Sequence, residues 1–128
     1  MADNVQVLVL DDEPLVGKRL KSVLVKMRCD VEAFDDPMAA LARIDEKEFD
    51  IVITDVVMGE VDGIQVLERV RGRNPRAKVI IMSAYAMMAM ARKAMERGAY
   101  DFIAKPFVPE EMRVIVAKAA RDLGFDFS

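Results

Sequence analysis

Short apolar runs alternate with longer amphipathic stretches along the whole chain. Five of these runs are rich in Val, Ile, Leu and Phe and are too short to be helices, which predicts five β-strands. The predicted strands are Val5–Leu10, Val31–Phe34, Ile51–Thr54, Val79–Met82 and Phe102–Ala104. Each run is followed by apolar residues at helical spacing, which predicts five helices. Strands and helices that alternate in this way form a parallel sheet with helices on both faces.

Turn-forming and capping residues set the predicted boundaries of these elements. Asp36 and Asp62 suit helix N-caps, and Gly98 suits the end of a fourth helix over Ala86–Arg97. The segment Met58–Gly63, which contains two glycines, is predicted to be a loop. These signals predict an α/β fold, a flavodoxin-like doubly wound five-stranded parallel sheet of order 2-1-3-4-5 with five helices. The chain of 128 residues has the size of one domain, and we expect a single domain over residues 1–128.

Polar side chains stand where four of the predicted strands end. Asp11 and Asp12 follow the first strand, Asp55 the third, Ser83 the fourth and Lys105 the fifth. Because the strands of a parallel sheet all end at one edge, where ligands bind, we expect these residues to converge. Three carboxylates, one hydroxyl and one amine form a set that can hold a divalent cation and handle a phosphoryl group.

The three carboxylates point to a magnesium site. Clustered carboxylates repel one another, and a divalent cation relieves that repulsion. Mg²⁺ prefers oxygen ligands and keeps several waters, so we predict Asp12 and Asp55 as direct ligands and Asp11 as a ligand through water. The backbone carbonyl of Val57 is a further predicted ligand. Adjacent acids after a strand also serve as a helix N-cap, so Asp11 and Asp12 alone would not indicate a metal.

Asp55 has a second predicted role, as the acceptor of a phosphoryl group. A carboxylate that faces a metal can attack phosphorus and form an aspartyl phosphate. The ammonium of Lys105 and the hydroxyl of Ser83 would then contact the phosphoryl oxygens. A cis peptide bond before Pro106 would aim the lysine inward. A capping aspartate and an exposed lysine are the alternative interpretations.

The composition excludes several other kinds of site. A net charge of −3 gives no basic footprint for direct nucleic-acid binding, although Arg69, Arg71, Arg73 and Arg76 form a local cluster. The chain has no histidine, so any phosphohistidine must come from a partner. The single cysteine, Cys29, forms no intramolecular disulfide and suits a reducing cytosol. With no signal-peptide pattern and no apolar stretch of about 20 residues, we expect a cytoplasmic protein without membrane contact.

The motifs around these residues resemble the receiver domain of two-component response regulators. They are Val-Leu-Asp-Asp-Glu at Asp11, Ile-Thr-Asp-Val-Val-Met at Asp55, Asp62-Gly63, Ile-Met-Ser-Ala at Ser83, and Gly98-Ala-x-x-Phe-x-x-Lys-Pro-Phe. The resemblance covers the chain from about Val5 to Leu123. It implies that Asp55 accepts a phosphoryl group from the phosphohistidine of a sensor histidine kinase, with Mg²⁺ dependence and slow self-catalysed hydrolysis. It also implies that Ser83 and Phe102 are a switch pair.

The same resemblance also indicates what the switch acts on. The segment that ends in Lys105-Pro106-Phe107 is similar to receivers attached to enhancer-binding transcription activators, which implies a downstream output domain or protein. The uncharged segment Ala84–Ala91 contains Met87, Met88 and Met90, and adaptable methionines often contact partners. We expect this segment, the last strand and the last helix to form an exposed interaction face. Two copies of the chain could form a homodimer through the methionines of that face. Ordinary core packing of the methionines stays open as the alternative.

Three residues depart from the family pattern. Many receivers have Met-Pro where this chain has Met58-Gly59, and the glycine is expected to loosen that loop. Val57 has no polar group to orient an attacking water, and Tyr85 is bulky enough to hinder one. We therefore hypothesise a phosphorylated state that hydrolyses comparatively slowly.

Two other classes of protein remain as alternatives. A magnesium-dependent phosphatase would pass through an aspartyl phosphate and turn over a small phosphate ester, but it would usually need another acid near Asp55, where Val57 stands. A flavodoxin-like FMN carrier would need a phosphate-binding loop after the first strand, where the chain has Asp11-Asp12-Glu13-Pro14. Turnover of an ester, or a coloured purified protein, would favour these alternatives.

Overall fold

The computed structural model of the protein describes residues 4–59 and 61–126, without the side chains of Val57, Met58 and Tyr85. Its strands are β1 (Gln6–Leu10), β2 (Asp30–Phe34), β3 (Ile51–Asp55), β4 (Val57–Met58), β5 (Val61–Asp62), β6 (Lys78–Ala84) and β7 (Asp101–Lys105). Its α-helices are α1 (Pro14–Val25), α2 (Pro37–Glu46), α3 (Gly63–Arg73), α4 (Met88–Glu96) and α5 (Pro109–Asp122). None of the helices in the described ranges is long and apolar enough to cross a membrane.

Five of the strands form one parallel sheet in the order β2-β1-β3-β6-β7. When the short β4 and β5 are left out of the numbering, this is the predicted order 2-1-3-4-5, so the fold prediction is confirmed. The chain changes direction across the sheet between β1 and β3, which are neighbours. That switch point is where open α/β sheets bind ligands.

The helices cover both faces of the sheet, as the alternation predicts. On one face, α1 and α5 bury a cluster that includes Leu20, Leu24, Met112 and Val116. On the other face, α2, α3 and α4 bury a second cluster against the sheet, which includes Ile44, Leu67, Val70 and Ala94. The sheet between these layers is fixed on both sides, so the carboxyl ends of its strands are held in defined positions.

The predicted caps form as the sequence indicates. The Asp36 side chain accepts a hydrogen bond from the backbone N–H of Met38 at 3.1 Å. Asp62 and Gln65 form a reciprocal capping box at the start of α3, with both hydrogen bonds at 2.9 Å. Gly98 follows α4 with a φ of +105°, a left-handed conformation that glycine adopts without strain.

The segment after Asp55 differs from the predicted open loop. Val57 pairs with Asp62 and Met58 with Val61, so β4 and β5 form a short antiparallel hairpin. Gly59 follows β4 with a φ of +75°, which a proline could not adopt because its ring fixes φ near −65°. The departure from Met-Pro thus has a structural reason, while the expected looseness of the segment stays a prediction.

The start of the fourth helix also differs from the prediction. The helix α4 begins at Met88 rather than Ala86, because a 3-10 turn over Tyr85–Met87 precedes it. The expected methionine face is smaller than predicted: Met87, Met88 and Met90 are partly exposed, and Met87 and Met90 pack against the core cluster of Ile81 and Ala91. Core packing, the alternative interpretation, thus covers part of Met87 and Met90, and an interaction face formed by the remaining surface stays a prediction.

Candidate functional site

The carboxyl ends of β1, β3 and β7 bring together the acidic and basic residues predicted to converge. The Lys105 Nζ donates hydrogen bonds to Oδ2 of Asp11 at 2.5 Å and to Oδ2 of Asp55 at 3.0 Å. Asp11 lies just after β1, whereas Asp55 and Lys105 are the last residues of β3 and β7. The peptide bond between Lys105 and Pro106 is cis.

The three carboxylates form a group that fits a divalent cation. Asp11, Asp12 and Asp55 each offer a carboxylate oxygen, and these oxygens lie within 4.8 Å of one another. Asp11 is fully buried, the Asp55 side chain is 14% exposed, and Asp12 is open to solvent. An all-oxygen set with one side open to water matches the preference of Mg²⁺ for carboxylates and retained waters.

The charges of these groups perturb one another. Burial, followed by the negative charges of Asp11 and Asp55, raises the pKa of Asp12. Burial alone would lower the pKa of Lys105, but its hydrogen bonds to Asp11 and Asp55 outweigh that effect and raise it. Three carboxylates therefore face one ammonium, and the excess negative charge favours a cation at this point.

Asp11 also has a structural role, although it is not the N-cap of α1: that residue is Glu13, which lacks a side-chain cap. Its Oδ1 accepts a hydrogen bond from the backbone N–H of Glu13 at 2.9 Å, just before the first turn of α1. Its Oδ2 accepts the hydrogen bond from Lys105. Because the two oxygens have different partners, Asp11 stabilises the start of α1 and belongs to the charged site as well.

The predicted switch residues lie on β6 and β7, the two strands on one side of β3 in the sheet. Ser83 is fully buried near the end of β6, one residue beyond Met82, which pairs with Asp55. Its hydroxyl donates to the backbone carbonyl of Ala84 at 3.1 Å. Phe102 on β7 is partly buried and packs against the core cluster that Met87 also contacts.

The remaining predicted residues can be placed only by their backbone. Val57 lies in β4, two residues beyond Asp55, and Tyr85 begins the 3-10 turn that follows β6. The side chains of both residues lie outside the described part of the structure, so their effect on an attacking water stays a prediction.

Two residues that sequence reasoning gave no role contact the backbone of Asp55. The Thr54 hydroxyl donates to the Asp55 carbonyl at 3.0 Å. The first residue of α3, Gly63, approaches the same carbonyl so closely that an added Cβ would lie 2.8 Å from it. The sequence does carry one sign of this close contact. Gly63 directly follows a helix N-cap, a position that does not need the conformational freedom of glycine, so its small size is the remaining reason for it.

Comparison with known proteins agrees with this geometry. The family model of the response regulator receiver domain matches residues 7–117 of the chain. The chain belongs to the response regulator receiver family. Phosphorylation of an aspartate is the function of receiver domains, and the chain is therefore a signalling domain of two-component systems.

Individual relatives show the same relationship. The transcriptional regulatory protein ZraR of Escherichia coli strain K12 is 33% identical over 117 residues, which are 91% of this chain and 26% of ZraR. The chain thus spans about a quarter of the length of that relative. The chemotaxis protein CheY of Listeria monocytogenes is 32% identical over 117 residues, 91% of this chain and 98% of CheY. A receiver domain from Clostridium thermocellum has a TM-score of 0.87 at 25% identity, covering 93% of this chain and 96% of that one.

Proposed function

We propose that Asp55 of this receiver domain is its phospho-acceptor and that phosphorylation changes a protein-interaction surface. The observation that carries the proposal is the Lys105 ammonium, which lies within hydrogen-bond distance of both Asp11 and Asp55 at the carboxyl edge of the sheet. An ammonium beside a partly buried carboxylate can stabilise the negative charge that a phosphoryl group brings. The motifs of the receiver family fall on the same residues.

The proposed reaction transfers a phosphoryl group from a sensor histidine kinase. A carboxylate oxygen of Asp55 attacks the phosphorus of a phosphohistidine, and the P–N bond breaks. The electron pair of that bond stays on the imidazole nitrogen, and a proton on the other ring nitrogen keeps the leaving imidazole neutral. The product is an acyl phosphate on Asp55. Attack by water later breaks the bond between phosphorus and the Asp55 oxygen and releases inorganic phosphate.

The proposed cofactor is Mg²⁺, held by Asp12 and Asp55 directly and by Asp11 through water. The backbone carbonyl of Val57 is the proposed further ligand. When bound, the cation would neutralise the clustered carboxylates and carry part of the charge of the phosphoryl oxygens. The support for this set is the distance of at most 4.8 Å between the three carboxylate oxygens.

Ser83 and Phe102 are the proposed switch pair. A phosphoryl group adds a charge of about −1.5 to −2 at neutral pH. We propose that the Ser83 hydroxyl then leaves the carbonyl of Ala84 for a phosphoryl oxygen, and that the Phe102 ring turns further inward. This exchange would shift the population of two arrangements of the surface around β7 and the last two helices.

The proposed partners are the sensor histidine kinase and a downstream output domain or protein, with transcription as one possible output because ZraR is a transcriptional regulatory protein. A homodimer through the Met87-Met88-Met90 helix face stays a prediction. The three methionines are partly buried, so this face exposes less apolar surface than the sequence indicates. A cytoplasmic location stays the expectation drawn from the sequence.

Intact-mass measurement after incubation with acetyl phosphate tests the acceptor. We expect the native chain to gain one phosphoryl group only when Mg²⁺ is present, and Asp55→Asn to gain none. The matched control is Asp35→Asn, because Asp35 is exposed and follows β2 at the same edge of the sheet. A gain by Asp55→Asn, or no gain by the native chain under any condition, would contradict the proposal. Continuous turnover of a phosphate ester would instead favour a phosphatase.

A further inference from the structure

The first residue of α3 lies against the backbone that carries Asp55. A Cβ added to Gly63 would lie 2.8 Å from the carbonyl oxygen of Asp55 and 3.0 Å from the Cα of Val56. Both are backbone atoms, which cannot turn away as the end of a flexible side chain can. The φ of Gly63 lies outside the left-handed region, so its requirement is for space and not for conformation.

Hydrogen bonds hold the same short stretch of backbone from several directions. The Gly63 N–H donates to the Val56 carbonyl at 2.8 Å, and the Val56 N–H donates to the Met82 carbonyl at 3.0 Å. The Thr54 hydroxyl donates to the Asp55 carbonyl at 3.0 Å. The two peptide groups that follow the Asp55 side chain are thus held: the first is tied to β6 and to Thr54, and the second to α3.

The helix α3 has little freedom to move away from this contact. Its first turn is fixed by the capping box of Asp62 and Gln65, and Asp62 also pairs with Val57 in the hairpin. Ile64, one residue after Gly63, is buried in the core. A methyl group at position 63 would therefore displace the Asp55 backbone as well as the helix, because both sides of the contact are held.

We infer that Gly63 is a positioning residue for phosphoryl transfer, because the absence of its side chain lets α3 fix the Asp55 backbone in the position that aims its carboxylate at Lys105. The inference rests on the proposed role of Asp55. Thr54 contacts the same carbonyl through its hydroxyl and is the second positioning residue. A displacement of about 1 Å can slow a positioned reaction by about a hundredfold.

The test compares Gly63→Ala with Gly72→Ala. Gly72 lies in the same helix and is exposed, and an added Cβ there would meet nothing within 4 Å. The control therefore reproduces the change in helix propensity without the contact. The rate of phosphorylation by acetyl phosphate is measured at several Mg²⁺ concentrations by intact mass, and Mg²⁺ affinity is measured by calorimetry without any phosphodonor.

We expect Gly63→Ala to lower the phosphorylation rate at saturating Mg²⁺ about tenfold or more and to weaken Mg²⁺ binding, with Gly72→Ala at native values. A folded Gly63→Ala with native rate and native Mg²⁺ affinity would overturn the inference. If the native chain itself is not phosphorylated on Asp55, the proposed function fails, and the Mg²⁺ affinities of the two variants still decide whether Gly63 positions the Asp55 carboxylate.

A second pair of variants keeps the test decisive if Gly63→Ala does not fold. Thr54→Val removes the hydroxyl that contacts the Asp55 carbonyl, and Thr54→Ser keeps it. We expect a slower phosphorylation rate and weaker Mg²⁺ binding in Thr54→Val, and recovery towards native values in Thr54→Ser. Native behaviour of Thr54→Val, or an equal loss in Thr54→Ser, would overturn the role of the Asp55 carbonyl as the anchor point.

Discussion

Replacing Asp12 with asparagine is expected to stabilise the protein in the absence of a metal ion. Burial, followed by the charges of Asp11 and Asp55, raises the pKa of Asp12 above its ordinary value of 3.8, against the opposing effect of Lys105. A carboxyl whose pKa is raised on folding disfavours the folded state once it is ionised. The penalty is absent below the ordinary pKa and complete above the raised one. Asp12→Asn removes it.

Coulomb's law gives the size of the part of this penalty that comes from the neighbouring charges. Two unit charges 4.8 Å apart, the largest separation of these carboxylate oxygens, repel by about 0.9 kcal/mol in a medium with the dielectric constant of water. Asp12 has two such neighbours, and the ammonium of Lys105 offsets roughly one of them. Because Asp12 is exposed and salt screens exposed charges, we expect the free energy of unfolding to rise by about 0.5 kcal/mol in Asp12→Asn.

Addition of Mg²⁺ should reverse the order of stability. A ligand that binds only the folded protein adds about 1.4 kcal/mol when its free concentration is ten times the dissociation constant. The native chain keeps its three carboxylates and gains this stabilisation. Asp12→Asn has lost a proposed direct ligand and gains less. Urea unfolding followed by circular dichroism, in excess EDTA and in excess Mg²⁺, measures both effects.

The control for this experiment is Asp35→Asn, which removes an exposed carboxylate that is outside the cluster. We expect its unfolding free energy and its gain from Mg²⁺ to match those of the native chain. A lower unfolding free energy of Asp12→Asn in EDTA would refute the electrostatic reasoning. A gain from Mg²⁺ equal to the native one would refute the role of Asp12 as a ligand.

Three further predictions concern single residues. Gly59→Pro should lower the free energy of unfolding by about 1–3 kcal/mol, since proline cannot adopt a φ of +75°. A free energy of unfolding in urea equal to that of the native chain would argue against the hairpin. Val57→Asn should shorten the lifetime of the phosphorylated state, because an amide can orient the attacking water, and an unchanged decay of the phosphorylated mass would count against this account. Burial, and then the charge of Asp30, raises the pKa of the Cys29 thiol to about 11. A thiol reagent in mildly alkaline buffer should therefore modify Cys29 only after the chain is unfolded in urea. Rapid modification of the folded chain would show that Cys29 is not buried.

The sheet and its order could be predicted because their signals are local. Apolar runs such as Ile51–Thr54 reveal strands buried on both faces, and residues such as Asp36 and Asp62 mark the starts of helices. The short hairpin could not be predicted, because two-residue strands are too short to show an alternating pattern. Gly59 was its one local sign, and a glycine is equally expected in an open loop.

The features that were predicted wrongly or missed depend on contacts between distant parts of the chain. The sequence left open whether Met87 and Met90 are exposed or packed in the core, and only the packed structure shows that neighbouring elements cover part of each. The role of Gly63 follows from its distance to the Asp55 carbonyl, which no sequence pattern records. Core packing and close backbone approach are properties of the assembled layers.

The register of the sheet explains why a long side chain is needed at position 105. Asp55 pairs with Met82 on β6, whereas Lys105 pairs with Ala84, two residues further along the same strand. Since β3 and β7 are two strands apart, the backbones of Asp55 and Lys105 are separated by about 10 Å across the sheet and about 7 Å along it. The four-carbon stem of lysine and the shorter side chain of Asp55 span this gap together, and the lysine delivers a compact charge to both carboxylates. A cationic side chain shorter than lysine at position 105 would not reach Asp11 and Asp55, and the two carboxylates would face each other without a positive charge between them. The site therefore requires the length of the lysine side chain as well as its charge.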